Sequence, residues 1–170
     1  MGVRTVRLLH ALAVATTVGA WLVIMVGGFT TATNSGAGCR EVVTCEGTPI
    51  GPNAAAVEGA HRIVAWTEGL LVLSMLVLVL WRYRAWRPVR NLTILSFVLV
   101  AVQGVIGMLS VAATFGDLGL GAAYPAFVTA HLGVATAFLA VAMWNATEVF
   151  RGMPPEMAVS PKPPTRAVES

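Results

Sequence analysis

The stretch EGAHRIVAWTEGLLVL, residues 58–73, leads into one of the most apolar parts of the chain, yet it carries four ionisable side chains. They are Glu58, His61, Arg62 and Glu68. At about 100° per residue, all four fall on one helical face about 120° wide. Charged groups are costly in the middle of a bilayer, so they normally face a bundle interior and mark a functional site. The stretch therefore predicts a membrane helix whose polar face lines a site.

The composition of the whole chain is that of a membrane protein. Of its 170 residues, 56% are hydrophobic and 11% are charged, and the mean hydropathy is +0.77. Soluble domains carry roughly 25% charged residues. The apolar stretches are each close to the ~20 residues that cross a hydrocarbon core, and they run over about 8–29, 59–81, 89–113 and 124–147. We predict an all-α integral membrane four-helix bundle in residues 1–150. The first helix is expected to be retained, and the Pro-rich tail 151–170 to be disordered, with no soluble domain.

The basic residues predict the orientation of the bundle. Most of the eleven Lys and Arg precede helix 1, fill the link between helices 2 and 3, or follow helix 4. By the positive-inside rule, these segments lie in the cytoplasm. The chain is then a multi-pass protein of the cell (plasma) membrane, and both of its termini lie on the cytoplasmic side. The net charge of +3 is explained by anionic membrane lipid and requires no nucleic-acid partner.

The two cysteines of the chain, Cys39 and Cys45, lie in the predicted outer loop, in the segment CREVVTC. On the oxidising side of a membrane such a pair is usually a structural disulfide. The alternative is that the two cysteines have a thiol-redox function. A metal site is less favoured because neither a histidine nor a third cysteine is nearby.

The chain has three histidines, and two of them are predicted to meet. His61 and His131 lie at similar depths near the outer ends of helices 2 and 4, whereas His10 lies near the inner end of helix 1, most of a membrane thickness away. Aromatic and small residues share the His131 face, and a polar and small stripe runs along helix 3. These positions are Phe127, Ala135, Phe138 and Ala142 on helix 4, and Ser96, Gln103, Gly107 and Ser110 on helix 3.

A cavity with two histidines and small or aromatic walls between membrane helices is how a bundle holds heme through imidazoles on the iron. Arg62 at its rim suits a propionate. Two alternatives stay open at this point. The histidines and acids could pair with each other and only fix helix packing. For Glu68 we expect a structural pairing with Gln103. Glu68 could instead belong to a proton or ion path.

Several motifs together resemble the heme A synthase family. They are GGFTTATNSGAGC (27–39) followed by a second Cys, EGAHR (58–62), QGVIG (103–107) and VTAHLGVA (128–135), and the resemblance extends over about residues 8–147. Members of that family typically have eight helices in two similar halves, so this chain resembles one half. The segment REVVT between the cysteines departs from the family pattern, as does Thr31, where many members have a basic residue.

The resemblance implies roles for individual residues. His61 and His131 match the paired heme-facing histidines, and Glu58 matches a carboxylate implicated in the chemistry. Cys39 and Cys45 match an outer-loop disulfide.

The resemblance also implies a function. The family oxidises the C8 methyl of heme O to the formyl group of heme A for terminal oxidase biogenesis, with heme b as redox cofactor. A homodimer or higher homo-oligomer is expected to restore two halves, and the heme O synthase is a candidate partner. The alternatives are a non-catalytic b-type cytochrome or heme carrier using the same histidines, and a small membrane transporter or assembly protein without heme.

Overall fold

A computed structural model of the chain describes residues 3–36, 53–116 and 119–152. Within these residues the secondary structure is helical: α1 (Val3–Ala32), α2 (Ala54–Arg82), α3 (Arg87–Thr114) and α4 (Tyr124–Arg151), with a 3₁₀ turn at Gly121–Ala123 before α4. All four helices are long and apolar enough to cross a membrane. The predicted all-α, four-helix membrane architecture is therefore confirmed, and the chain is a multi-pass membrane protein.

Each helix extends past the apolar run that predicts it, and α1 and α2 do so by more than a turn at their first residues. The helices contain 28 to 30 residues, which at 1.5 Å per residue correspond to roughly 42–45 Å. That length covers the headgroup layers as well as the hydrocarbon core. Hydropathy reports only the part of a helix in the hydrocarbon core, so the sequence underestimates the length of the helices at their polar ends.

Helix α1 is capped at its C-terminal end by Thr33, Asn34 and Ser35, which belong to the motif GGFTTATNSGAGC. Asn34 takes a left-handed conformation, with φ of 53°. Its N–H donates to the carbonyl of Thr31, and the N–H of Ser35 donates to the carbonyl of Thr30 over 2.8 Å. This pair of bonds is a Schellman motif, which satisfies carbonyls that the helix leaves without partners. The chain therefore leaves α1 at a defined point.

The four helices form a ring in chain order. α1 packs against α2 and α4, and α3 packs against α2 and α4. Consecutive helices are antiparallel neighbours, so α2 and α4 lie diagonally across the bundle. We call the end formed by Ala32, Ala54, Thr114 and Tyr124 the histidine end, and the end formed by Arg82, Arg87 and Arg151 the arginine end.

Hydrophobic packing is concentrated away from the histidine end. One cluster occupies the arginine end, and a smaller one lies at mid-bundle around Ala20, Val72, Phe138 and Ala142. The first contains Leu9, Ala13, Met75, Leu78, Val79, Tyr83, Trp86, Val89 and Val149. Among the described residues, the buried side chains of the histidine end are mostly polar, and they include Thr30, Ser35 and Glu58. The bundle is thus a packed half joined to a polar half.

The two helical hairpins, α1–α2 and α3–α4, repeat one burial pattern. Buried positions of α2 match buried positions of α4 when 70 is added to the residue number (72 + 70 = 142). Buried positions of α1 match buried positions of α3 when 80 is added (9 + 80 = 89). The pairs are Glu68 with Phe138, Val72 with Ala142, Met75 with Asn145, Val79 with Val149, Leu9 with Val89, Ala13 with Thr93, and Thr16 with Ser96. The same displacements align His61 with His131 and Gly27 with Gly107. The bundle is therefore a pseudo-two-fold arrangement of two hairpins.

Polar contacts connect α4 to its own hairpin partner and to the other hairpin. The Asn145 amide donates to Thr93 Oγ1 over 2.9 Å and lies 4.0 Å from Met75 Sδ on the diagonal helix. Thr17 also donates to the carbonyl of Ala142 over 3.3 Å. In lipid, where apolar association between helices has little driving force, such bonds fix which faces meet.

Some predictions fall outside what the structure describes. Cys39 and Cys45 lie outside the described residues, and so does the tail beyond Gly152. Helix α4 ends at Arg151, next to the predicted boundary at residue 150, and Gly152 follows it with φ of 85°. The orientation in the membrane stays a prediction.

Candidate functional site

The two histidines of the histidine end lie at the same depth. α2 begins at Ala54 and α4 at Tyr124, so each histidine lies two turns, about 10 Å, inside its helix. The sequence places His61 closer to the surface than His131, because it predicts a later start for α2. The predicted meeting of His61 and His131 is therefore supported by the positions of their helices.

A glycine of the neighbouring helix lies against each imidazole. A Cβ on Gly27 of α1 would lie 2.9 Å from Cε1 of His61, closer than real Cβ atoms approach other atoms. A Cβ on Gly107 of α3 would lie 3.4 Å from Cε1 of His131. Hydrogen atoms at these positions leave room for the rings between the helices. The glycines therefore set how near the imidazoles come to the neighbouring backbone.

Neither imidazole is held by a hydrogen bond at Nδ1. In the described part of the chain, Nδ1 of His61 and Nδ1 of His131 are buried without a partner. The backbone of His131 is held instead, because Gln103 Nε2 donates to its carbonyl over 2.7 Å. His10 differs: its Nδ1 lies 2.8 Å from the carbonyl of Val6, and its ring packs edge-on against Phe150 at the arginine end. The structure thus separates two uncommitted histidines from one structural histidine.

Glu58 and Arg62 form an ion pair one turn from His61. Arg62 Nε donates to Glu58 Oε1 over 2.9 Å, and the side chains are 15% and 7% exposed for Arg62 and Glu58 respectively. A nearly buried carboxylate is stabilised only when it is paired and hydrogen-bonded. The pair therefore holds a carboxylate in a fixed position beside the histidine.

The expected partnership between Glu68 and Gln103 is wrong. The amide nitrogen of Gln103 donates to the His131 backbone, and both carboxyl oxygens of Glu68 lack a partner among the described residues. Glu68 instead lies against Gly19 of α1, where a Cβ would overlap its Oε2 atom. The reason is rotational: the polar face of α2 is wide, and Glu68 lies on the edge that contacts α1 rather than α3. The sequence gives the face but not the neighbouring helix.

The remaining wall positions are also accounted for. Phe138, Ala142 and Ser96 are buried, and the others predicted to line the cavity are half-buried, namely Phe127, Ala135, Gln103, Gly107 and Ser110. Sequence reasoning did not single out Gly19 as a contact of an acid. Its signal is its spacing, since it lies two turns from Gly27 and thus on the same face of α1.

Comparison with known proteins agrees with this architecture. A family profile described as "Cytochrome oxidase assembly protein" matches residues 53–168. Heme A synthases of Bacillus cereus (strain AH187), Bacillus anthracis (strain A0248) and Bacillus thuringiensis subsp. konkukian (strain 97-27) are each 30% identical to the chain over 133 residues. The chain belongs to the heme A synthase family of cytochrome oxidase assembly proteins.

The aligned share of each relative limits what family membership implies about the activity of this chain. The aligned residues are 75% of this chain but 40% of each of these relatives. The family profile begins at Asn53, at the start of α2, and continues past α4. No solved structure matches the chain. Family membership is therefore shown, and the activity of the longer relatives comes to this chain only as a proposal.

The contact between His61 and Gly27 yields a test of the site's packing. Gly27→Leu should push the imidazole out of position and lower the free energy of unfolding by about 1–3 kcal/mol, as overpacking does. Gly28→Leu is the matched control, because a Cβ at Gly28 has nothing within 4 Å. Thermal unfolding in detergent, followed by circular dichroism, measures both variants. Equal effects of the two substitutions would contradict the assigned contact.

Proposed function

We propose that this chain binds heme between His61 and His131 and oxidises the C8 methyl of heme O to the formyl group of heme A, in support of terminal oxidase biogenesis. One observation carries the proposal: two half-buried imidazoles, whose Nδ1 atoms are buried without a partner among the described residues, lie at one depth on diagonal helices. The names of the relatives, which are heme A synthases, supply the reaction.

The residues present fit heme. Imidazole nitrogens are common axial ligands of heme iron, and helical bundles place such ligands on facing helices. The glycines beside the rings and the mostly polar lining of the histidine end are consistent with a site that packing alone does not fill. A bound heme b would supply the redox chemistry. Arg62 would contact a propionate while it holds Glu58, since a guanidinium carries five donors.

Glu58 is the residue we propose for proton transfer. It lies one turn from His61 on the same helix, and its ion pair with Arg62 holds one carboxylate oxygen. The other oxygen is then oriented relative to the imidazole instead of rotating freely. Oxidation of a methyl group to a formyl group releases protons, and a carboxylate fixed near the reacting carbon can accept them.

The family resemblance indicates that two four-helix halves act together, and this chain contains one His61/His131 pair. We therefore propose a homo-oligomer, most simply a two-fold dimer, in which one protomer holds heme b and the other holds heme O. The proposal includes cytoplasmic termini in the plasma membrane and an outer-loop disulfide between Cys39 and Cys45. It also includes the heme O synthase as the partner that supplies substrate.

Removal of either histidine should weaken heme binding. His61→Ala and His131→Ala are each expected to lower heme affinity at least about tenfold, because loss of groups that merely support a metal ligand already costs 10–100-fold. His10→Ala is the control, since His10 lies at the arginine end. Pyridine hemochrome spectra of purified protein measure heme per chain. Wild-type heme content in both variants would refute the heme site.

Replacement of Glu58 should separate chemistry from binding. Glu58→Gln keeps the shape of the side chain and should retain heme, but heme A formation should fall about 100-fold or more, as for loss of a general base. Glu148→Gln is the matched control, because Glu148 forms an i,i+3 ion pair with Arg151 at the arginine end, whereas Glu58 forms an i,i+4 pair with Arg62. Chromatography of extracted heme identifies the product. Normal conversion by Glu58→Gln would refute the role of Glu58, and heme binding without conversion by the wild type would indicate a non-catalytic cytochrome.

The dimer can be tested with a mixed pair of chains. A dimer of one wild-type chain and one Glu58→Gln chain, isolated through two different tags, should keep part of the heme A formation, because the wild-type protomer can hold heme O while the variant protomer holds heme b. Differently tagged chains should also co-purify. A species that is monomeric by light scattering and fully active would contradict the dimer.

A further inference from the structure

A groove runs along the seam between α1 and α2, on the arginine-end side of His61. It has a volume of about 390 Å³, and its walls are almost entirely apolar. The side chains that matter here are Ala15, Val18 and Leu22 on α1 and Ile63 and Leu71 on α2. The volume lies within the range of small-molecule sites, roughly 300–1,000 Å³.

The carboxyl group of Glu68 lies in this groove and has no role in the site described above. Glu68 lines the groove, is 3% exposed, and has both carboxyl oxygens buried without a partner among the described residues. The other polar side chain of the wall, Thr67, already donates to the carbonyl of Ile63 over 2.8 Å. Buried polar groups in an apolar surrounding require a hydrogen-bonding partner. The groove therefore contains a single unmet polar requirement.

The groove begins on α2 close to His61 in the sequence. Ile63 lies just past His61 on α2, and Leu71 lies about 15 Å from His61 along the helix. His61 and Glu68 also face the same neighbour, because each lies against a glycine of α1, Gly27 and Gly19 respectively. A long apolar substituent of a ligand held at His61 could thus enter the groove and pass Glu68.

We propose that this groove receives the hydroxyethylfarnesyl substituent of heme O and that the Glu68 carboxyl hydrogen-bonds to its hydroxyl group. The proposal rests on the proposed function and deepens it, since it assigns a specificity site for one heme over another. A hydroxyl both donates and accepts, so it satisfies a carboxyl whether or not the carboxyl is ionised. The isoprenoid part matches the apolar walls. A lipid acyl chain would fill the walls but leave Glu68 without a partner.

Three hemes distinguish the contact between the hydroxyl and Glu68 from the contact between the isoprenoid tail and the groove. Heme B has neither the hydroxyl nor the tail, iron hematoporphyrin has hydroxyethyl groups without the tail, and heme O has both. Titration of purified, heme-depleted protein with each of them, followed at the Soret band, gives three affinities per variant. The readout is the ratio of each affinity to that for heme B, so the heme B value also reports whether a variant folds.

In the wild type, heme O should bind more tightly than heme B. Glu68→Leu should lower the affinities for heme O and iron hematoporphyrin about tenfold, the equivalent of one hydrogen bond to a polar group, and leave heme B unchanged. Glu68→Gln should keep most of the preference, because an amide also donates and accepts. Ala15→Phe should lower the affinity for heme O alone, by filling the groove. Ala11→Phe, on the exposed face one turn away, is its control.

An unchanged ratio of heme O to heme B affinity in both Glu68→Leu and Ala15→Phe would overturn the proposal. An equal loss for all three hemes in Glu68→Leu would do the same, since Glu68 would then serve folding or an ion path. If Glu68→Leu does not fold, Glu68→Gln and Ala15→Phe decide the question. A wild type with the expected ratios that does not convert heme O would refute the proposed function and leave this contact standing.

Discussion

A polar group inside a bilayer must find its partner within the protein, because lipid offers none. At the arginine end and at mid-bundle some polar side chains find such a partner: the Asn145 amide nitrogen donates to Thr93, and Thr17 donates to the carbonyl of Ala142. The hydroxyls of Thr16, Tyr83 and Ser96 are buried there without a partner among the described residues. Toward the histidine end the groups without a partner include ionisable ones: Nδ1 of His61, Nδ1 of His131 and both oxygens of Glu68 are buried without partners in the described chain. The proposed ligand would offer iron to the imidazoles and a hydroxyl group to the Glu68 carboxyl.

The division of the bundle explains how such a site can persist without collapsing. Apolar packing is gathered at the arginine end and at mid-bundle, where it can hold the helices together independently of what lies between the histidines. The glycines at 27 and 107 then allow close helix approach beside the rings without side chains that would fill the space. Stability and ligand binding are therefore assigned to different parts of the same four helices, which resembles the usual placement of binding groups on a rigid scaffold.

The sequence predicts the number and class of the helices, the matching of His61 with His131, and the inward direction of the acidic face of α2. These follow from hydropathy and helical periodicity, which depend on local chemistry. It does not predict the helix ends in the headgroup layer, because polar residues there carry no hydropathy signal. Nor does it identify the partner of Glu68, since that depends on how α2 is rotated between α1 and α3. The close contacts of Gly19 and Gly27 with side chains of α2 require the same tertiary information.

The pseudo-two-fold relation between the hairpins has a consequence for stereochemistry. The backbone frame is nearly symmetric, but its lining is not: Glu58, Arg62 and Glu68 on α2 correspond to Val128, Leu132 and Phe138 on α4. A porphyrin with unlike substituents has two inequivalent faces, and a symmetric frame alone could not distinguish them. Here the acids and the arginine all belong to one hairpin, so the two ways of inserting such a ring are unequal in energy. Facial selectivity can thus arise from three side chains, with no change in the path of the backbone.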